Sequence, residues 1–343
     1  MPSALLTYGP RQQNSESVIP HHFTLAEPSI YRHRSALFLS VLALACGPSG
    51  PPSEISTQGF AAGADDAPLF YRIAGVGRDT LVVVHGFQGN NQNYLAADFD
   101  GLFPGHALLF YDQRGAGRSG PVRDEHPDLE DHVEDLEALR LALGFTRLRL
   151  LGHSGGAYIA ISYALSHPGE VDRIAMVAPG PPTPDYDAEI GTAFTSRLDS
   201  ATWAELNALT GALPASDAPA AVCQEISSIV MPRVWLADSS AASRMKGSMC
   251  DAPAPALRSE AAMRLTFEAS VMGRDWTADL GQVTHPVLIV HGDRDAIPVA
   301  AAEQWRVALP NGQLVVIPGA DHFPWLDRPD AFSRILTDFF EPQ

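Results

Sequence analysis

From Phe60 onward the 343-residue chain alternates short apolar runs with helical patterns. Leu69–Ile73 reads as an edge strand ending at Gly75. Thr80–Val84 is a β-branched run that stops at His85-Gly86, as a strand buried on both faces should. Ala107–Tyr111 is the next such run. Leu129, Val133, Leu136, Leu139 and Leu143 then fall on one helical face, with acids in the first turns and Gly144 at the end. A strand from Leu148, a helix over Ala157–Leu165 and the run Ile174–Val177 follow. Strands and helices alternating at this spacing predict an α/β fold: a mostly parallel, twisted sheet covered by helices on both faces.

The rhythm fails at Ala178-Pro179-Gly180-Pro181-Pro182 and resumes with Pro286–Val290, a helix near Ala300–Val307, the strand Gln313–Ile317 and an amphipathic helix around Asp330–Phe340. The intervening block of ~100 residues is too long for a loop and carries helical patches. It is expected to form a lid over the carboxyl edge of the sheet, where open α/β sheets bind ligands. The predicted organisation is a core over residues 59–180 and 281–343 with a helical lid over 181–280.

The first 58 residues differ. Ser35–Ala45 is an uncharged apolar run behind Arg32, His33 and Arg34, and Cys46 follows it. Its 11 residues are short of the ~20 that span a bilayer. A basic flank, an apolar core and small residues before a cut describe a secretory signal, and Ala43-Leu44-Ala45-Cys46 resembles a bacterial lipobox. Export to the cell envelope, with a membrane tether through a lipidated Cys46, is the expectation; a disordered tail on a cytoplasmic protein is the alternative. Gly47–Gln58, rich in proline and serine, reads as a flexible tether. In an oxidising envelope Cys223 and Cys250 can pair and close a loop; two buried thiols are the other reading. No Cys/His spacing suggests a metal.

A net charge of −17 argues against nucleic acid and against charge-driven binding to an anionic bilayer. The acidity reads as solubility.

One stretch carries chemistry. Leu148–Gly156, Leu-Arg-Leu-Leu-Gly-His-Ser-Gly-Gly, is a strand, a G-x-S-x-G turn and the start of a helix. A serine there sits on a sharp bend with its oxygen exposed and the next backbone N–H aimed at the same place. Side chains at 152 and 156 would crowd the turn.

In order, these features resemble the α/β-hydrolase family from Ala67 to the C-terminus. Tyr111-Asp112-Gln113-Arg114-Gly115-Ala116-Gly117-Arg118-Ser119 is similar to the Asp-Gln-Arg-Gly-x-Gly-x-Ser motif of the proline iminopeptidase branch. The resemblance implies a nucleophile at the elbow, an acid after a late strand and a histidine before the last helix. Those positions hold Ser154, Asp295 (in Gly292-Asp293-Arg294-Asp295-Ala296-Ile297-Pro298) and His322 (in Pro318–Pro324). It implies oxyanion donors at the Gly155 and Phe87 amides, the latter from His85-Gly86-Phe87, and no cofactor. His85-Gly86-Phe87-Gln88-Gly89 departs from that branch's His-Gly-Gly-Pro-Gly, and Gly-His-Ser-x-Gly is commoner in esterases. A serine at 154 also disfavours the epoxide hydrolases and dehalogenases, which use an aspartate there.

The implied activity is serine-dependent hydrolysis of an ester or amide in a small-molecule or short-peptide substrate, with aminopeptidase, carboxylesterase or lipase-like, and perhydrolase-type readings open and a catalytically silent binding protein as the remaining alternative. An aminopeptidase must hold a free ammonium, most simply with lid carboxylates such as Glu205, Glu225, Glu260 or Glu268. Asp293 is expected to bond its own backbone, Asp321 to point into solvent, His153 to pack the turn, and Arg114 to brace its loop.

Overall fold

A computed structural model describes residues 57–77, 80–86, 91–99, 101–103, 105–119 and 127–341. The expected leader, Cys46 and the tether as far as residue 56 lie outside these residues, and so does Phe87.

Eight strands form one sheet: β1 (Thr57–Ala62), β2 (Pro68–Ala74), β3 (Thr80–Val84), β4 (Ala107–Tyr111), β5 (Leu148–His153), β6 (Val171–Val177), β7 (Val287–Gly292) and β8 (Gly312–Ile317). Their order is β1-β2-β4-β3-β5-β6-β7-β8. The pairs β1–β2 and β2–β4 are antiparallel and all others parallel. The direction of winding reverses between β3 and β5, which pair through Leu81–Val84 and Arg149–Gly152. Such a switch point opens a crevice at the carboxyl ends of the strands. Here it is walled by His85-Gly86 on one side and Ser154 on the other.

Two expectations at the start of the sheet need correction. The strand through Leu69–Ile73 lies inside the sheet, not at its edge, because β1 pairs along its outer side. Thr57 and Gln58, expected in the tether, belong to β1. The reason is composition. Thr-Gln-Gly-Phe-Ala-Ala has no apolar alternation and its residues are exposed or half-buried. Backbone bonds to β2, with Phe60 against Phe70 at 5.4 Å, hold it in place.

Alternation along the buried strands divides the core between the two faces. Val82 and Val84 join Leu109, Leu150 and Ile174 on one face; Leu81 and Val83 join Leu108, Phe110 and Leu151 on the other. Helices cover both. In chain order they are α1 (Asn93–Ala96), α2 (Leu129–Leu143), α3 (Gly156–Ser166), α4 (Asp187–Ser196), α5 (Ser200–Ala212), α6 (Pro219–Val230), α7 (Ala254–Val271), α8 (Thr277–Leu280), α9 (Val299–Ala308), α10 (Pro324–Asp327) and α11 (Pro329–Phe340). Side chains of α2, α3 and α9 fill the first face, and those of α1, α10 and α11 the second.

Helix α2 shows how local chemistry fixes an element. Asp128 accepts from the amides of Glu130 and Asp131, and the Asp131 side chain accepts from the Asp128 amide. That reciprocal box satisfies N-terminal donors, and Gly144 closes the helix at φ 74°, a conformation costly for other residues.

No strand interrupts the described chain between β6 and β7. Helices α4 to α8, short 3-10 turns and one π-helical turn over Met231–Trp235 occupy the interval. The lid has its own apolar cluster of Leu198, Ile229 and Val234 with Phe194, Trp203 and Leu206. A disulfide joins Cys223 of α6 to Cys250.

Candidate active site

The elbow is sterically built. Ser154 has φ 51°, a left-handed conformation unusual for a residue other than glycine. Its amide donates to the Val177 carbonyl at 2.9 Å, anchoring the turn to β6. A Cβ at Gly152 would lie 2.6 Å from the Gly156 carbonyl oxygen, and one at Gly156 would collide with the Val84 carbonyl. The two glycines are thus demanded by close approach. Gly155 precedes the first residue of α3, so its amide is among the donors that a helix start leaves without an intrahelical partner.

The candidate acid and base come from neighbouring loops. Asp295 follows β7 and His322 follows β8. A Cβ at Gly292 would collide with the Ala320 carbonyl, so glycine lets the loops meet. His322 Nδ1 lies 2.9 Å from Asp295 Oδ2, and Oδ1 of the same carboxylate accepts from the Ile297 amide at 3.0 Å. Burial alone would raise the Asp295 carboxyl, but the His322 imidazole and its hydrogen bond hold it below the ordinary carboxylate range. The pair is almost fully shielded, at 4% and 0% side-chain exposure.

The two neighbouring carboxylates depart from expectation. Asp293 Oδ1 accepts from the amide of Gly319 at 2.6 Å, so it bonds the loop that carries the histidine and not its own backbone. Asp321 is buried, not solvated. It pairs with Arg197 at 2.8 Å and accepts from the His322 amide at 2.8 Å. Burial and the nearby Asp295 raise its carboxyl to about 6. Sequence spacing carries no signal for the Asp293–Gly319 or Asp321–Arg197 contact, because the partners lie 26 and 124 residues apart.

His153 is a connector. Its Nδ1 lies 2.8 Å from the Tyr94 hydroxyl, and its Nε2 lies 3.1 Å from the His322 carbonyl. Burial keeps its ring well below the usual histidine range, and hence neutral. A carbonyl can only accept, so Nε2 carries the proton and Nδ1 accepts from Tyr94. The same hydroxyl accepts from the Gly86 amide at 2.7 Å. Gly86, Tyr94, His153 and His322 therefore form one chain of hydrogen bonds. Tyr94 was not legible as a site residue: nothing local distinguishes it from a core aromatic.

Around Asp112–Ser119 the contacts are internal. Arg114 forks onto Asp135, with Nε and Nη2 each 2.6 Å from a carboxylate oxygen, and reaches Asp131 at 3.2 Å. Asp112 accepts from the amides of Gln92 and Arg118 at 2.8 and 2.7 Å. His85, lowered by burial to about 4, accepts at Nε2 from the Gln113 amide and donates from Nδ1 to the Gly86 carbonyl. Arg114 braces this loop and does not line the cavity described next.

Ser154 and His322 open into one cavity of about 590 Å³ beneath the lid. Most of its lining is apolar, including Phe194, Trp203, Ile226 and Met272. Trp235 lies against the His322 imidazole with centroids 4.5 Å apart. Of the four lid carboxylates considered from sequence, Glu260 and Glu268 face the cavity, while Glu205 and Glu225 are exposed outside it. Glu268 is engaged by Arg264 at 3.1 Å. Burial raises the Glu260 carboxyl to about 7, against the pull of Arg264. A slightly larger and more polar cavity, about 630 Å³, lies by Arg72, Gln92 and Arg118 and holds none of Ser154, Asp295 or His322.

Sheet, elbow and lid together define a hydrolase class, and residues 79–329 match the model of the alpha/beta hydrolase fold, a family to which the chain belongs. Within that family it stands close to the proline iminopeptidase branch. It is 28% identical over 289 residues to the proline iminopeptidase of Saccharolobus solfataricus, covering 79% of this chain and 87% of the relative. It is 25% identical over 267 residues to a putative carbamate hydrolase of Caulobacter sp. (strain K31), covering 76% and 90% of the two chains. Among solved structures, a thermophilic esterase from Thermogutta terrifontis superposes with TM-score 0.62 at 20% identity, covering 82% of this chain and 97% of that one. This last likeness is one of fold.

Proposed function

We propose that the chain hydrolyses an amide or ester through an acyl-enzyme on Ser154, with His322 as base and then acid and Asp295 as the orienting carboxylate. The observation that carries this is His322, bonded to Asp295, opening into the same cavity as a serine held at positive φ. A hydroxyl needs a base to attack near neutral pH. The Ser154 oxygen bonds the substrate carbonyl carbon while its proton passes to His322 Nε2, and the carbonyl electrons move onto oxygen. The Gly155 and Phe87 amides are the donors proposed for that oxyanion. Collapse breaks the bond to the leaving group, which takes the proton from His322. Water then repeats the sequence and frees Ser154. Asp295 accepts from Nδ1 throughout and stabilises the imidazolium without taking its proton.

Within this chemistry we favour substrates with a free N-terminal ammonium. Glu260 is a shielded cavity carboxylate, and among the described residues no ion pair engages it, whereas Glu268 already has Arg264. A bound ammonium supplies the cation that would keep Glu260 ionised. Similarity to proline iminopeptidases runs in the same direction. The apolar lining favours a second reading, a carboxylesterase taking a hydrophobic acyl group.

Rates on proline p-nitroanilide and p-nitrophenyl acetate separate the two. For the aminopeptidase, Glu260→Gln lowers kcat/KM on the anilide at least about tenfold, the loss of one charge-assisted contact, and spares the acetate. An anilide rate indifferent to Glu260→Gln removes that reading. Labelling of wild type by a fluorophosphonate, lost in Ser154→Ala, tests the nucleophile itself.

A further inference from the structure

The lid reaches the acid–base pair through one arginine and one tryptophan. Arg197 immediately follows α4. Its Nη1 donates to Asp321 Oδ2 at 2.8 Å and to the Val234 carbonyl, and its Nη2 donates to the Arg294 carbonyl at 2.5 Å. Asp321 and Arg294 are the residues directly before His322 and Asp295. One guanidinium therefore bridges the two loops at matching positions and ties both to the lid segment at Val234. The next residue, Trp235, lays its ring against the His322 imidazole, tilted by 37°.

We propose that Arg197 and Trp235 are positioning residues for the Asp295–His322 pair, so that docking of the lid sets the imidazole for proton transfer. The inference rests on the roles of Ser154, Asp295 and His322 proposed above. The bond between Nδ1 and Oδ2 requires the two loops to hold a fixed relative placement. Apart from the bond itself, their direct ties are the Gly319 amide to Asp293, the Asp293 amide to the Ile317 carbonyl at 3.3 Å and the Arg294 amide to the Ala320 carbonyl at 2.9 Å. A planar fork with several fixed donors on separate nitrogens can hold both loops at once, which a lysine ammonium, with its donors on one nitrogen, matches less well. The indole presents its electron-rich face to a ring that becomes a cation each time His322 takes a proton. Misplacement of a reacting group by about 1 Å can cost on the order of a hundredfold in rate.

The test uses the full chain and p-nitrophenyl acetate, with the rate of fluorophosphonate labelling as a second readout. Arg197→Ala is expected to lower kcat by about tenfold to a hundredfold while KM moves much less, and to label slowly but to completion. Arg197→Lys should recover part of the loss. Trp235→Leu should lower kcat, and Trp235→Phe should restore most of it. If Arg197→Ala does not fold, as judged by circular dichroism, Arg197→Lys and the Trp235 pair carry the test. Wild-type kcat and labelling rate in the folded Arg197 and Trp235→Leu variants, or a change confined to KM, overturns the proposal. Failure of wild type to label, or labelling of Ser154→Ala, would instead sink the reading of the site on which it rests.

Discussion

The Nε2 of His153 lies 3.1 Å from the main-chain oxygen of His322, across 169 residues of sequence. The residue preceding the proposed nucleophile thus holds the backbone of the proposed base, and Tyr94 extends the connection to the amide of Gly86. Three loops at the carboxyl edge of the sheet share one chain of neutral hydrogen bonds. His153→Phe removes both ring contacts at similar volume. We expect kcat to fall by about tenfold, the equivalent of one hydrogen bond, with KM little changed. Steady-state kinetics on p-nitrophenyl acetate measures it, and an unchanged kcat would reduce the link to packing.

Asp295→Asn keeps an oxygen for the Ile297 amide but loses the charge facing His322 Nδ1. The altered tautomer and the missing countercharge should lower kcat by about 10³–10⁴-fold, with the melting temperature shifted by only a few degrees. Near-normal turnover would mean that another group orients the histidine.

The disulfide between Cys223 and Cys250, 27 residues apart, ties α6 to a segment that also bonds the core: the Met249 carbonyl accepts from Asn91, and the Lys246 amide donates to Asp98. Opening a loop of that size costs about 3.5 kcal/mol of stability in the loop-entropy account. Urea unfolding of Cys223→Ala/Cys250→Ala beside wild type, and of wild type with and without reductant, reads the difference. A midpoint indifferent to both changes would show that lid packing suffices without the bridge.

His132 gives a pH dependence with a definite sign. Its ring is 2% exposed, packs edge-on to Phe267, and neither nitrogen has a hydrogen-bond partner. Burial, and after it the influence of Arg114 and His85, lower it from 6.5 to about 3. Above pH 6.5 neither folded nor unfolded chain carries this proton. Below it the unfolded chain gains one while the folded ring stays neutral, so the stability this group contributes is lost as pH falls. At pH 5 the loss is about 2 kcal/mol. His132→Leu removes it, so the stability of the variant relative to wild type should improve by about that amount between pH 7.5 and pH 5. Denaturant curves at the two values test this, and a difference independent of pH contradicts it.

The strand–helix alternation was legible because period and length are local properties: Thr80–Val84, Ala107–Tyr111 and Leu129–Leu143 lie where their patterns put them. β1 escaped, since a strand held by backbone bonds to one neighbour and little burial leaves no periodic trace. Asp321 departs from its expected solvated position for a related reason. A charged residue reads as solvated unless its partner is known, and Arg197 lies 124 residues away.

The family resemblance, the order of strand and helix, and Ser154, Asp295 and His322 as candidates could be read along the chain, because glycine spacing and turn chemistry act within a few residues of themselves. The folded chain was needed to show that Asp295 bonds His322, that Glu260 and Glu268 face the cavity while Glu205 and Glu225 do not, that Trp235 and His153 contact His322, and that Arg197 and Tyr94 hold their neighbours. Those facts depend on how separate loops converge at a switch in the sheet, and convergence in space leaves no mark on spacing along the chain.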